Sequence, residues 1–273
     1  MTGGTAIEVA DLSVMFGRTG GATPPVLAVD RVSFTAARGE LVCIVGPSGC
    51  GKSTVLNVIA GMIRPSPTAE FELTGGFRIF TAARQRNRQI GYMFQQDTLL
   101  PWKTALQNVL LPLQLQQQPD AAERARALLD LTGLSGFGDR YPKELSGGMR
   151  KRVQMAQLLA QDPEILLLDE PFGALDAQTR ALMHEEFLKV WERDRKTILF
   201  VTHDLGEAIL LGDRILSMSA RPGRIKSEIA VGIDRPRHME EVVGTARYGE
   251  LHRALWADLQ VEASLTLRAG AKA

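Results

Sequence analysis

Three short runs of almost entirely apolar residues stand out along the chain, at Leu41–Val45, Ile165–Leu168 and Thr197–Val201. Runs of this length without polar alternation are typical of strands buried on both faces of a parallel sheet. Each run is followed by a segment whose apolar residues recur at helical spacing. Strands that alternate with helices in this way predict an α/β fold with a mostly parallel sheet.

The N-terminal region has a different pattern, in which apolar and polar residues alternate. The alternation runs from Ile7 to Phe16, and its phase slips near Asp11. This pattern predicts an edge strand with a bulge or a break. Residues Phe71–Phe80 contain two central glycines and predict a short hairpin that turns at those glycines.

Several amphipathic helices are predicted in the second half of the chain. Residues 105–134 carry two helical patterns separated by Gln116–Pro119, and a further helix follows Leu145–Met149. The next helix turns one face inward, which leaves His184 exposed. Its inward residues are Met183, Phe187, Val190 and Trp191.

The C-terminal part begins with two predicted closing strands, Arg214–Ser219 and Arg224–Val231, joined by a turn. Beyond them, Leu251, Leu255 and Leu259 recur at i, i+4 and i+8. This spacing predicts an amphipathic helix that packs back on the domain.

Composition narrows the class of protein. The 273 residues are 45% hydrophobic, and 32 Lys and Arg nearly balance 31 Asp and Glu, so no basic surface indicates nucleic-acid binding. The two cysteines form no disulfide framework or metal motif, which fits a reducing cytoplasm. No N-terminal secretion signal is evident, and no apolar run approaches the roughly 20 residues that span a bilayer. We therefore expect any membrane role to depend on a partner.

Residues 46–54 connect the first apolar strand to a helical pattern. They are Gly46, Pro47, Ser48, Gly49, Cys50, Gly51, Lys52, Ser53 and Thr54. Glycines let the backbone N–H groups converge on a polyphosphate, and the following helix adds its positive N-terminal end. A strand–loop–helix with this spacing is the phosphate loop, in which the lysine reaches the β- and γ-phosphates and the serine ligates Mg²⁺. The sequence therefore predicts a nucleoside triphosphate site.

Polar residues follow other predicted strands, where ligands of α/β sheets bind. Asp169 can hold Mg²⁺, and Glu170 can polarise an attacking water. His203 is either a hydrogen-bonded core histidine or a contact to the γ-phosphate or water. Gln95 is either a surface glutamine or an amide that senses Mg²⁺ or water. Phe16 is either a strand-end core residue or an aromatic that stacks on the base.

A second glycine-rich turn, Leu145-Ser146-Gly147-Gly148, opens a predicted helix. A serine and two glycines at a helix N-terminus make either a simple cap or a second anion cradle. Because residues 46–54 already surround one ATP, a single chain has no obvious use for both cradles.

Together these motifs resemble the ATP-binding subunit of an ABC transporter. The resemblance covers about residues 7–233 and rests on residues 46–54, Gln95, Leu145–Met149, Ile165–Glu170, Ala174–Asp176 and His203. It implies a P-loop NTPase core with a mostly parallel sheet, an N-terminal antiparallel β subdomain and an α-helical subdomain. The helical subdomain would be inserted at about residues 96–157, and residues 234–273 would form a short C-terminal helical extension.

The resemblance also implies roles for individual residues. ATP and Mg²⁺ would be sandwiched between two copies of the chain, with Ser146, Gly147 and Gly148 of one copy closing on the phosphates held by the other. Phe16 would stack on adenine, and Asp176 would lie in the loop that crosses the dimer interface. The catalytic set would be Glu170 as base, with His203, Gln95 and Lys52, and the metal ligands would be Ser53, Gln95 and Asp169.

A finer resemblance is to importer subunits of the nitrate, sulfonate and taurine class. It rests on Phe94–Asp97 with Leu99–Trp102, on Glu170–Asp176 and on Ala220–Ile225. The chain departs from that class at Thr81–Gln89, which lacks the usual Gly-Pro-type turn and Asp-Arg pair. An importer would act with transmembrane permease subunits and a separate solute-binding protein, at the cytoplasmic face of the membrane. Residues Leu99–Trp102 would belong to the docking surface, or would cap a core.

Two alternatives share the same nucleotide site. One is the ATPase of an exporter or lipid-extraction system. The other is a non-transport ATPase of the same family that acts on nucleic acid, which the near-neutral charge and the single cassette disfavour.

Overall fold

A computed structural model describes residues 4–17, 24–64, 71–81, 89–173 and 175–270, without the side chains of residues 71 and 263–270. Most of the Thr81–Gln89 departure lies outside these residues. The chain divides into two compact units, one formed by Met1–Phe80 with Thr197–Ala273 and the other by Thr81–Lys196.

The strands are β1 Thr5–Phe16, β2 Val26–Ala37, β3 Leu41–Val45, β4 Phe71–Ile79, β5 Ile90–Met93, β6 Ile165–Asp169, β7 Thr197–Val201, β8 Arg214–Met218 and β9 Ile225–Ala230. The helices are α1 Lys52–Ile59, α2 Ala105–Leu115, α3 Ala121–Leu131, α4 Gly147–Ala160, α5 Ala177–Asp194, α6 Leu205–Leu211, α7 Met239–Val243 and α8 Ala246–Gly270. No helix among the described residues is long and apolar enough to cross a membrane.

An antiparallel sheet in the first unit has the strand order β2-β1-β4. The prediction of an edge strand at the N-terminus is therefore wrong, because β1 is paired on both sides. The predicted bulge is confirmed. Strand register shifts between Val9 and Leu12 against β2, and between Ala10 and Ser13 against β4, and Asp11 has a φ of 48°.

The predicted hairpin within Phe71–Phe80 is also wrong, because these residues form the single strand β4. Gly75 has a φ of 74° and lies opposite the bulge of β1. A Cβ atom at this position would lie 2.2 Å from the carbonyl oxygen of Asp11. The glycine therefore admits the bulge of the neighbouring strand, and it does not turn the chain.

The second sheet of this unit contains β7, β3 and β8 in parallel, with β9 antiparallel to β8. Strands β3 and β7 are buried along their whole length, as their apolar runs predict. The closing strands β8 and β9 are confirmed. The C-terminal amphipathic helix is confirmed as α8, which packs against α6 and β8 and buries Leu251 and Leu255.

The second unit pairs β5 and β6 in parallel and contains α2 to α5. Helices α2, α3 and α4 enclose a hydrophobic core that includes Leu99, Val109, Leu113, Leu129 and Val153. Within Leu99–Trp102 the core interpretation is confirmed for Leu99, which lies in this core, whereas Trp102 is 69% exposed.

Helix α5 buries Met183, Phe187 and Trp191, as predicted, but the expectation that His184 is exposed is wrong. Its side chain is 3% exposed, and its ring lies edge-on to Phe172 with 5.3 Å between the ring centroids. The imidazole is an aromatic ring that can pack against another ring, so the polarity of histidine alone did not predict that His184 is buried.

Candidate functional site

The predicted phosphate loop joins β3 to α1 in the first unit, and its backbone requires glycine. Gly51 caps α1 in a left-handed conformation, with a φ of 101°. A Cβ atom there would lie 2.8 Å from Val29 Cγ2 and 2.9 Å from the carbonyl oxygen of Ala28. Both the backbone conformation and the surrounding space therefore exclude a side chain at Gly51.

Lys52 begins α1 and folds back onto the loop. Its side chain is buried, and Nζ donates to the carbonyl oxygens of Gly46 at 2.8 Å and Pro47 at 3.0 Å. Two carbonyl oxygens of the phosphate loop itself therefore hold the Lys52 ammonium group in place. Burial raises the pKa of the neighbouring Cys50 thiol, an effect that the Lys52 charge opposes, so this thiol is protonated at neutral pH.

The other predicted residues of the first unit lie at strand ends or in α1. Ser53 and Thr54 are in the first turn of α1. Phe16 ends β1 and is 38% exposed, so it is not a core residue. His203 is exposed and follows β7, and the next residue, Asp204, caps α6 by accepting from the backbone N–H of Glu207 at 3.0 Å.

In the second unit the structure brings Gln95 and Glu170 together. Strands β5 and β6 run in parallel register, with Met93 opposite Leu168, so the residues that follow both strands meet at one edge. Gln95 Nε2 donates to Glu170 Oε2 at 3.1 Å. Glu170 has a φ of 45°, a conformation that a non-glycine residue rarely adopts and that is common at functional sites.

Asp169 ends β6 and is 6% exposed. The hydroxyl of Tyr92 donates to Asp169 Oδ2 at 3.5 Å. Burial raises the pKa of the Tyr92 phenol, and the Asp169 carboxylate raises it further. The phenol therefore stays protonated and remains a donor to this carboxylate.

The second glycine-rich turn caps α4. Ser146 Oγ accepts from the backbone N–H of Met149 at 3.2 Å. Asp176 caps α5 in the same way, by accepting from the backbone N–H of Thr179 at 3.0 Å. The Ser146 turn and Asp176 both line one open cavity of about 550 Å³ in the second unit. Ser146 and Asp176, which the family resemblance assigns to one dimer interface, therefore line the same cavity.

The matching family profile is that of the ABC transporter, and it covers residues 29–173. The chain belongs to the ABC transporter family.

Relatives within this family support the same conclusion. An uncharacterized ABC transporter ATP-binding protein of Methanocaldococcus jannaschii is 45% identical over 78% of this chain and 78% of its own length. An aliphatic sulfonates import ATP-binding protein SsuB of Bacillus cereus is 41% identical over 79% of this chain and 83% of its own. A second protein of that name, from Bacillus thuringiensis, is 38% identical over 85% and 88%.

A solved dimeric ATP-binding cassette, in a post-hydrolysis state bound to ADP and Pi, matches with a TM-score of 0.71 at 31% identity. The match covers 84% of this chain and all of that chain. This ABC protein is therefore an ATPase that binds ATP, and the predicted α/β P-loop NTPase fold is confirmed.

The predicted residues divide between the two units of this ABC ATPase. Sequence reasoning missed several polar residues that support them, including Tyr92, Lys151 and Arg221. Lys151 lies beside the apolar stripe of α4, so helical spacing predicts exposure, yet its side chain is 5% exposed. Its partners are main-chain carbonyl oxygens more than 50 positions away, so local spacing gave no signal for it.

Proposed function

We propose that this protein is the ATP-hydrolysing subunit of an ABC importer for a small solute of the nitrate, sulfonate or taurine class. The observation that carries the proposal is the similarity to aliphatic sulfonates import ATP-binding proteins, at 38–41% identity over most of both chains. The segments Leu99–Trp102 and Ala220–Ile225, which resemble that class, support the same function.

ATP is held by residues 46–54, with the Lys52 ammonium on the β- and γ-phosphates and Phe16 against the adenine. A second copy of the chain supplies Ser146, Gly147 and Gly148, so that two ATP molecules are enclosed in a dimer. The exposure of Ser146 and its position beside Asp176 at one open cavity support this arrangement. The solved relative is likewise a dimer.

Magnesium is the proposed metal, and the donor groups fit it. Ser53, Gln95 and Asp169 offer hydroxyl, amide and carboxylate oxygens, which are the hard ligands that Mg²⁺ prefers. When bound, the ion neutralises charge on the β- and γ-phosphates. Asp169 is buried at the end of β6, where Tyr92 restricts its orientation.

Glu170 is the proposed general base that orients and deprotonates the attacking water. Gln95 supports this role, because its amide donates to the Glu170 carboxylate and so restricts the orientation of that carboxylate. His203 contacts the γ-phosphate or the water, and its exposed position after β7 leaves it accessible to both.

Binding of ATP closes the dimer and hydrolysis reopens it. This cycle drives solute transport through separate transmembrane permease subunits, to which a solute-binding protein delivers the solute. The protein then sits peripherally at the cytoplasmic face of the membrane. In this account residues 96–157 form the inserted helical subdomain, whose exposed Trp102 belongs to the permease-docking surface, and residues 234–273 form the C-terminal extension.

Two measurements test the proposal. In the purified protein, Glu170→Gln should keep ATP binding, lose most turnover and form a dimer with MgATP in light scattering, whereas Lys52→Ala should remain monomeric.

In cells that lack the gene, uptake of labelled taurine, alkanesulfonate or nitrate should fall and be restored by the wild type but not by Glu170→Gln. Unchanged uptake with lost efflux would indicate an exporter, and salt-sensitive nucleic-acid binding would indicate a non-transport ATPase.

A further inference from the structure

The segment 94–98 follows β5 and contains Gln95. Three polar side chains of α4 bind this segment. Arg150 Nε lies 2.7 Å from Asp97 Oδ2, and Gln154 Nε2 donates to the carbonyl oxygen of Gln96 and to Thr98 Oγ1, both at 3.2 Å. Lys151 Nζ donates to the carbonyl oxygens of Phe94 at 3.0 Å and Gln95 at 2.8 Å.

Lys151 differs from Arg150 in its burial, and from both Arg150 and Gln154 in the group that it binds. Lys151 and Gln154 are both buried, whereas Arg150 is partly exposed. Burying an ammonium group is unfavourable unless hydrogen bonds compensate for the lost water, and here the two carbonyl oxygens supply them. Of the three side chains, Lys151 is the one that binds the backbone of Gln95.

These contacts connect the Ser146 turn, at the start of α4, with the Gln95–Glu170 pair. Helix α4 begins with the Ser146 cap, and Lys151 lies in its second turn. Lys151 holds the main chain of Gln95, and the Gln95 side chain donates to Glu170 at 3.1 Å. A displacement of α4 at its N-terminus therefore reaches the Glu170 carboxylate through two hydrogen-bonded steps.

We propose that Lys151 is a positioning residue, which fixes the main chain of Gln95 so that its amide orients the Glu170 carboxylate, and which links that orientation to the helix that starts at Ser146. This inference rests on the proposed role of Glu170 as base. It assigns Lys151 no contact with ATP, so loss of Lys151 reduces the rate of hydrolysis more than the affinity for nucleotide.

The test is steady-state ATP hydrolysis by the purified full chain carrying Lys151→Met, which keeps the length of the side chain and removes its donors. We expect kcat to fall about tenfold, the effect of losing roughly one strong hydrogen bond, with KM for ATP within about twofold. Gln154→Met is the matched control, because it removes bonds from the same helix to the same segment without touching Gln95. It should keep kcat within about twofold at a comparable loss of stability.

A double-mutant cycle separates positioning from general destabilisation. In a Gln95→Ala background, Lys151→Met should cause no further loss of kcat, because the side chain through which it acts is gone. Multiplicative losses in the double variant would overturn the inference, as would an unchanged kcat in Lys151→Met. If Lys151→Met does not fold, Lys151→Gln, which keeps one amide donor, takes its place in the same cycle.

Glu170→Gln, measured in parallel, separates failure of this inference from failure of the proposed function. Lost turnover in Glu170→Gln with normal turnover in Lys151→Met would refute the inference alone. Full turnover in Glu170→Gln would refute the role of the base itself, and the inference with it.

Discussion

The guanidinium group of Arg221 donates to the carbonyl oxygen of Gly49 through both Nε, at 3.3 Å, and Nη2, at 3.2 Å. Arg221 lies in the turn between β8 and β9, and Gly49 lies in the phosphate loop. The same turn is tied to β2, because the backbone N–H of Gly223 donates to the carbonyl oxygen of Ala28 at 2.9 Å. The turn between β8 and β9, which is far from the phosphate loop in sequence, therefore restrains the conformation of that loop.

Arg221→Ala should weaken nucleotide binding because the phosphate loop loses this restraint. The two donors share one acceptor oxygen, so together they are worth about 0.5–1.5 kcal/mol, which predicts a rise of roughly twofold to tenfold in KM for ATP, with a smaller change in kcat. Arg221→Lys, which keeps a donor and the charge, should recover part of the affinity. Steady-state kinetics and equilibrium titration with a fluorescent ATP analogue measure both quantities.

Arg224→Ala is the matched control for this prediction. Arg224 belongs to the same turn but pairs with Asp30, not with the phosphate loop. KM should stay near the wild-type value in this variant. An equal rise of KM in both variants would show that the turn acts only as a packed unit, and that the Arg221 bonds to Gly49 are not responsible.

Gly51→Ala should abolish ATP binding and lower the free energy of unfolding by about 1–3 kcal/mol, because the residue has a positive φ and its Cβ would meet Val29 and Ala28. Gly76→Ala is the control, since a Cβ atom there meets nothing within 4 Å. The control should change stability by no more than about 0.5 kcal/mol. Thermal unfolding and ATP titration compare the two variants, and equal effects would contradict the argument from local geometry.

The local sequence predicted the site residues well where polar side chains directly follow a predicted strand. The apolar runs of β3, β6 and β7 predict buried parallel strands, and the carboxyl ends of parallel strands lie at one edge of a sheet. Gln95 and Glu170 each follow a predicted strand, so the sequence places these two residues, 75 positions apart in the chain, at strand ends where ligands bind.

The sequence did not predict features that depend on contacts between residues far apart in the chain. The alternation in β1 is the same whether one or both of its edges are paired, so the edge assignment failed. Polar residue types such as Lys151 and His184 suggest exposure, yet carbonyl oxygens and an aromatic ring provide buried environments for them. Burial of a polar group depends on its hydrogen-bond partners and packing neighbours, and helical spacing contains neither.

Arg237→Ala should destabilise the first unit. The buried guanidinium of Arg237 donates to the carbonyl oxygens of Ile209, Leu210 and Gly212 at the end of α6, at 3.2, 3.2 and 2.6 Å, and also to Ile233. Its loss leaves several buried acceptors without this donor, at a cost of about 2–4 kcal/mol in the free energy of unfolding. Arg253→Ala, which removes an exposed side chain bound to its own helix at Gly249, should cost at most about 0.5 kcal/mol in chemical denaturation. Similar losses in both variants would contradict a capping role for Arg237.

Asp176 should make the stability of α5 depend on acid pH. The backbone N–H and the side chain of Thr179 hold the pKa of the Asp176 carboxyl below its usual value of 3.8. A depressed pKa means that the stabilising effect of the carboxylate is fully present above pH 3.8 and is lost as the pH falls through the lower folded-state pKa. Asp176→Asn keeps an acceptor at the cap but cannot ionise, so it should be less stable than the wild type at pH 6 and should converge with it as the pH falls below 3.8. A difference in the free energy of unfolding that stays constant across this range would show that the Asp176 charge does not stabilise the helix N-terminus, and that its cap acts through hydrogen bonding alone.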